Sequence, residues 1–282
     1  MRDNSKRLSA GSEPMPAVAQ QGDMPSFDFS VPTELVELPS KGRYYPPNHP
    51  LHNAETIEIK FMTAKDEDIL TSPSLLKKGL AVDRFVQNVI LDKRINVSSI
   101  LSGDKNAILV ASRINGFGAD YKTKVTCPNC AKVSENEFDL SEIKHYYGDD
   151  YGDYDIVATE SGTFIVALPK SKFKVEVRLL TSKDENELTA QLQNREKNSN
   201  LIETNLTDQL RKIIVSINGV TENRIINQAI DVLPAFDSRY LRAAYVKIVP
   251  GLDMTQHFEC PSCGFAQEVD VPMTIDFFWS RQ

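Results

Sequence analysis

Along residues 55 to 62, ETIEIKFM, Ile57, Ile59 and Phe61 alternate with Glu58 and Lys60, a period of two that predicts a half-buried strand. The period then lengthens. TAKDEDIL, SPSLLKKGLAVDRFVQNVILD and SGDKNAILVASRING carry apolar residues three and four apart, which predicts helices. Alternation returns in DYKTKVT and KVSENEFDL on either side of CPNC, and in MTQHFE and FAQEVDV on either side of CPSC, so each CPxC unit is expected at the tip of a hairpin. Residues 1–30 are rich in Ser, Pro, Gly, Gln and Ala without either period, the mark of a disordered tail. HYYGDDYGDYD, residues 145–155, reads as a polar linker.

The pattern is written twice. IKFMTAKDEDIL at residues 59 to 70 returns as VRLLTSKDENEL at 177 to 188, and LPSKG at 38 to 42 resembles LPKSK at 168 to 172. Asp104, opening one later helix, matches Asp237 opening another. Gly118 matches Gly251, and Cys127 and Cys130 match Cys260 and Cys263. The second half is somewhat longer, and surface connections around AQLQNREKNSNLIETN and VSINGVTENRI are expected to absorb the difference. The expected fold class is α+β, with two tandem pseudo-symmetric modules at 31–144 and 156–282. Each has a strand, capped helices and a hairpin with a CPxC knuckle, and a shared zinc-ribbon-like site joins them.

At the strand-to-helix junctions Thr63 and Asp66, and again Thr181 and Asp184, have the spacing of a capping box, with the hydroxyl and the acid serving the free N–H groups of the first turn. A catalytic carboxylate is the rival reading; neither copy has a neighbouring His or nucleophile in sequence.

The chain has 282 residues, 41% of them hydrophobic and 25% charged, enough to bury a sizeable core. It has no apolar run of the about 18 residues that a membrane span needs, and its start lacks the apolar stretch of a secretory signal, so a soluble protein in a reducing cytoplasm is expected. A net charge of −7 disfavours non-specific binding to nucleic acid. The cations of TSPSLLKKG and DKR read as a solvated helix face.

All four cysteines fall in the CPxC units, and two such turns facing one another supply a tetrahedral four-sulfur structural zinc site. The pairs lie much further apart in sequence than in a compact ribbon, and the internal duplication is what brings them together. A disulfide or redox pair, or free thiols, remain the alternatives. Four thiolates leave no open position for catalytic zinc. His257 is the best substitute ligand, and His49, His52 and His145 read as surface residues. NGFGADY has a Gly-x-Gly but runs from helix to strand, the wrong order for a phosphate loop. Near the C-terminus Ile275, Phe277, Phe278 and Trp279 form an apolar cluster, read either as packed on this chain or as docked on a partner.

VELPSKGRYYP, MTAKDEDIL, SPSLLKKG, GDKNAILVASRINGFGADY, CPNC and FDL, in that order, resemble the baseplate hub and hub-assembly proteins of T-even-like contractile-tailed bacteriophages. The resemblance is close over residues 34 to 143 and looser over the second half, through CPSC and DFFW. It implies a non-enzymatic virion-assembly protein that works in the cytoplasm of the infected host or resides in the tail baseplate, with other hub proteins as partners. The alternative is a zinc-ribbon adaptor for a polymerase or nucleic acid. The acidic surroundings of the second knuckle, HFECPSCGFAQEVD, favour protein partners.

Overall fold

A computed structural model describes residues 30–196, 205–273 and 275–278. The expected disordered tail lies almost wholly outside the described residues, as does Trp279. The fold is α+β. In the first half, β1 (Thr33–Glu37) pairs antiparallel with β2 (Thr56–Lys60), and β2 buries Ile57 and Ile59 while its polar positions face out. The chain between them is a series of turns stabilised by its own backbone bonds, among them Asn53 N–H to the Gly42 carbonyl at 2.9 Å. Gly42 has φ +69°, and a Cβ there would sit 2.3 Å from the Ala54 nitrogen, so only glycine fits.

Next come α1 (Ala64–Thr71), α2 (Pro73–Lys77) and α3 (Ala81–Val89). The periodicity predicts one helix from Ser72 to Asp92. Gly79, at φ +67°, breaks it in two, because a left-handed residue cannot continue the helical ladder. The longest helix, α4 (Ser102–Phe117), ends on Gly118 at φ +84° and leads into the hairpin β3 (Asp120–Thr126) and β4 (Val133–Asp139).

The segment read as a linker is more ordered than its composition implies. Its first two residues belong to β5 (Lys144–Tyr146), Tyr151 and Tyr154 pack on the core, and the Tyr146 hydroxyl donates to the Lys247 carbonyl at 2.6 Å. Tyrosine rings supply burial that a count of Gly and Asp conceals.

The second half opens with β6 (Ile156–Ala158), β7 (Phe164–Ala167) and β8 (Lys174–Val177), followed by α5 (Ser182–Glu196) and α6 (Asn205–Ile213). Strand β9 (Ile214–Ile217) completes an antiparallel sheet of order β6-β7-β8-β9. Then follow α7 (Asn223–Asp231), α8 (Ala235–Ile248), β10 (Gly251–Asp253), and the hairpin β11 (Thr255–Glu259) and β12 (Ala266–Asp270). The extra length of this half is therefore partly built into α6, β9 and α7. In the first half, β2 meets Ile90 through a single bridge at Ile59, whereas β8 pairs with a full strand, β9.

One continuous core runs through both halves, from Val36 and Leu38 through Phe85, Ile108 and Tyr121 to Phe164, Val177, Leu241 and Phe278. The halves also join through backbone. β5 pairs with β10, and the N–H groups of Ser102 and Ser182 bond the carbonyls of Leu180 and Ile100 at 3.2 and 2.8 Å. At Gly103 a Cβ would lie 1.9 Å from the Pro250 carbonyl oxygen, so the start of α4 touches the backbone of the other half.

Candidate metal centre and its surroundings

The same local constructions occur in both halves. At the start of α1 the Asp66 carboxylate accepts from the Thr63 N–H at 3.0 Å and from the Thr63 hydroxyl at 2.6 Å. At the start of α5 the Asp184 carboxylate accepts from the Thr181 N–H at 3.0 Å and its hydroxyl at 2.8 Å. The acid reaches back to the cap N–H and accepts from the threonine hydroxyl, and that hydroxyl in turn accepts from the N–H of the acid's own residue, at 3.4 Å from the Asp184 nitrogen in the second copy, the reciprocal pair of a capping box. Each acid also has a cation six positions earlier: Lys60 at 3.2 Å from Asp66, and Arg178 on Asp184 with two bonds of 2.7 and 2.8 Å. Burial pushes both carboxyls up. Bonds from Thr63, Asn88 and Lys60 outweigh this at Asp66, and bonds from Arg178 and Thr181 outweigh it more strongly at Asp184, so both lie below the usual carboxylate value. Such bonds suit structural anchors.

A second construction involves Asp104 and Asp237, both fully buried. Asp104 accepts from the Ser40 N–H at 2.9 Å, the Ser40 hydroxyl at 2.6 Å and the Tyr45 hydroxyl at 2.7 Å. Asp237 accepts from the N–H groups of Lys170 and Ser171 at 2.9 and 2.7 Å. Each carboxylate thus clamps an LP-containing turn onto its helix.

The knuckles come next. In the first, Cys127 N–H bonds the Lys132 carbonyl at 2.9 Å and Ala131 N–H bonds the Cys127 carbonyl at 2.9 Å; in the second, Cys260 N–H bonds the Phe265 carbonyl at 2.8 Å and Gly264 N–H bonds the Cys260 carbonyl at 2.9 Å. The residue after each CPxC is left-handed, Ala131 at φ 55° and Gly264 at φ 67°. These turns hold both sulfurs of a pair on one side. The four Sγ atoms of Cys127, Cys130, Cys260 and Cys263 lie within 4.8 Å of one another. Two of the approaches cross between the halves, Cys127 to Cys263 at 3.7 Å and Cys130 to Cys260 at 3.8 Å. Zn–S bonds of about 2.3 Å in tetrahedral geometry put sulfurs about 3.8 Å apart, so the four donors fit such an ion in both number and spacing. The sulfurs are too far apart for a disulfide, and all four cysteines are free thiols.

Cys127 and Cys260 are buried beneath Phe258, Val125, Phe265 and Val269, whereas Cys263 is exposed. The N–H of Phe265 holds the Cys263 thiol down at about 6, with the Asn129 amide adding to the effect. The N–H of Lys132 pulls the Cys130 thiol down as well, but desolvation and the other three sulfurs outweigh it and leave that thiol at about 11. A cation binding here displaces the retained protons, which ties occupancy to pH. His257 stands outside the cluster and faces Glu268 across its hairpin at 3.6 Å.

Two features were not expected from the sequence. Lys105 of α4 bonds Asp83 and the Ser182 hydroxyl, each at 2.8 Å, and Asn186 also bonds Asp83, which joins the halves through a mostly buried polar cluster. Ser182 is fully buried, so this Lys–Ser contact is a structural joint. Arg113, also fully buried, donates to the carbonyls of Phe277 at 2.8 Å, Gly118 at 2.6 Å and Asp120 at 3.1 Å. That bond fixes the C-terminal turn. Phe277 packs edge-on against Tyr121 and Phe278 against Phe85, each with ring centres 5.2 Å apart. Both phenylalanines are buried in this chain, on first-half elements.

These observations define a class: an α+β protein whose two halves share one core and bring four cysteines together at a metal-ready centre. The chain belongs to the T4 bacteriophage base plate protein family, whose model matches residues 31–279. Comparison with curated proteins gave no match, and comparison with solved structures gave none.

Proposed function

We propose that this chain is a hub or hub-assembly protein of the phage baseplate, acting through protein–protein contacts rather than catalysis. The family match over residues 31–279 carries the reading. One structural zinc, held by Cys127, Cys130, Cys260 and Cys263, completes a ribbon-like joint between two pseudo-symmetric modules; the inter-half sulfur spacing of 3.7 and 3.8 Å supports it. Thr63 with Asp66 and Thr181 with Asp184 serve as helix caps and anchors. Phe277 and Phe278, with their rings buried, hold the C-terminal turn in place. The protein acts in the cytoplasm of the infected host, where the hub is built, with other hub proteins as partners. The second knuckle, flanked by Glu259 and Glu268, supports a protein partner over a nucleic acid.

The test compares purified particles with assembly intermediates isolated from infected cells. The chain in both identifies a hub component, and in intermediates alone an assembly factor. Its absence from hub intermediates, or its presence only in peripheral parts of the baseplate, would overturn the proposal.

A further inference from the structure

Strand β1 has an open side. In its register with β2, the Leu38 N–H bonds the Glu55 carbonyl and the Phe61 N–H bonds the Pro32 carbonyl, both at 2.8 Å, so the even-numbered residues of β1 are those that bond β2. The N–H and C=O groups of Thr33, Leu35 and Glu37 therefore turn away from it. The same geometry on the far side of the pair turns the Glu58 carbonyl outward, where the Leu91 N–H meets it at 3.2 Å. On the β1 side, no hydrogen bond from the described residues reaches the N–H of Thr33, Leu35 or Glu37.

Neither a proline nor a bulge interrupts this edge within Thr33–Glu37, and Leu35 at its middle is 66% exposed. Beside it lies a cleft of about 210 Å³, floored by Ala107, Val110, Ala111 and Ile114 of α4 and bounded by Leu140 and Leu252. Glu34, Glu37 and Glu58 are exposed on the strand pair; Asn115 and the Tyr147 hydroxyl bond the first two, and neither of these donors carries a cation's charge.

A row of outward N–H and C=O groups is complementary to another extended backbone, an apolar cleft takes alternate side chains of such a segment, and carboxylates favour basic residues between them. We propose that the free edge of β1 receives an extended strand of a neighbouring base plate protein, with small apolar residues entering the cleft and Lys or Arg at alternate positions facing the glutamates. The proposal rests on the reading of this chain as one that acts through protein contacts, and it names the surface.

The experiment is site-resolved amide exchange on the full chain, free and within the isolated assembly intermediate, with Leu35→Pro as the variant. Proline at position 35 removes an outward N–H while leaving the bonds of residues 34 and 36 to β2 in place. The Thr33, Leu35 and Glu37 amides should exchange rapidly in the dilute free chain and at least about tenfold more slowly in the intermediate, and Leu35→Pro should melt within a few degrees of wild type yet be lost from the intermediate. Should Leu35→Pro unfold the chain, Leu35→Lys, which keeps the backbone, replaces it with the same expectation. The inference is overturned by amides that stay rapid in the intermediate or by a variant that folds and co-isolates normally. Amides already slow in the free chain overturn it too, as does protection that appears with rising concentration of the free chain, the sign of a second copy. An intermediate that lacks wild-type chain contradicts the proposed function instead, so the two failures are distinguishable.

Discussion

Helices α4 and α8 begin alike and end in different surroundings. Each has an aspartate in its first turn that clamps a turn from earlier in its own half, Asp104 holding Ser40 and Asp237 holding Lys170 and Ser171. Nine positions further on, α4 has Arg113, fully buried under the C-terminal turn, while α8 has Val246, 69% exposed. A shared pattern has been put to two uses. α4 is covered by the other half through Gly103, Lys105 and the segment around Phe277, whereas α8 keeps one face in solvent. What the two helices share is the local clamp; what surrounds each helix decides which later residues carry stability.

The largest test of that contrast is at the ninth position. Arg113→Met strands buried carbonyls and frees the C-terminal turn, and it should cost about 3–5 kcal/mol, visible as a fall in melting temperature of roughly 10 °C or more. Val246→Arg should change stability by less than about 0.5 kcal/mol. Similar costs at the two sites would break the comparison.

The clamps themselves differ in a way that pH exposes. Burial dominates at Asp104 and raises its carboxyl above 3.8, although Ser40 and Tyr45 donate to it. At Asp237 burial also raises the carboxyl, but the bonds from Ser171 and Lys170 prevail and lower it. A raised folded value means the folded chain keeps the proton longer, so the Asp104 contribution declines as pH rises from about 4 through its folded value. A depressed value works oppositely: the Asp237 contribution is present above the unfolded value and is lost as pH falls through the folded one. Denaturant titrations at several pH values should show Asp104→Asn flattening the slope above pH 4 and Asp237→Asn flattening it on the acid side. At pH 7 Asp237→Asn should cost about 1–2 kcal/mol more than Asp104→Asn, because its amide NH2 meets a backbone N–H, whereas the hydroxyls at Asp104 can rotate to accept.

Much of this was legible in the chain. The Thr-x-x-Asp pairs and the cysteines are short and local, so spacing alone located them, whereas it matched Asp104 with Asp237 only as helix-opening residues and gave no sign of the turns they clamp. Lys105, Asp83, Ser182 and Asn186 share no motif, and their meeting depends on how α4 crosses the start of α5. Nor does Arg113 stand out from a solvated helix face, since burial by a segment more than 150 positions away leaves no periodic trace. Strand β5 was hidden by its Gly- and Asp-rich neighbours.

The smallest contrast lies in the knuckles. Gly264→Ala puts a Cβ on a left-handed residue in open space, so the cost of about 1 kcal/mol is purely conformational. Ala131→Gly relieves the same strain and gives some of the gain back as unfolded-chain entropy, for a net stabilisation below about 1 kcal/mol. Thermal melts of the metal-loaded chain should move in opposite directions, and a shared direction would show that the two turns are not equivalent.

The central claim is that two hairpins from different halves hold one ion. Native mass spectrometry of the full chain, purified without chelators, tests it most directly when combined with thiol alkylation. The account predicts one zinc per chain, a mass showing the four thiol protons displaced, and Cys127, Cys130, Cys260 and Cys263 all protected until a chelator is added. A folded chain with no metal and four reactive thiols, or two ions per chain, would contradict it.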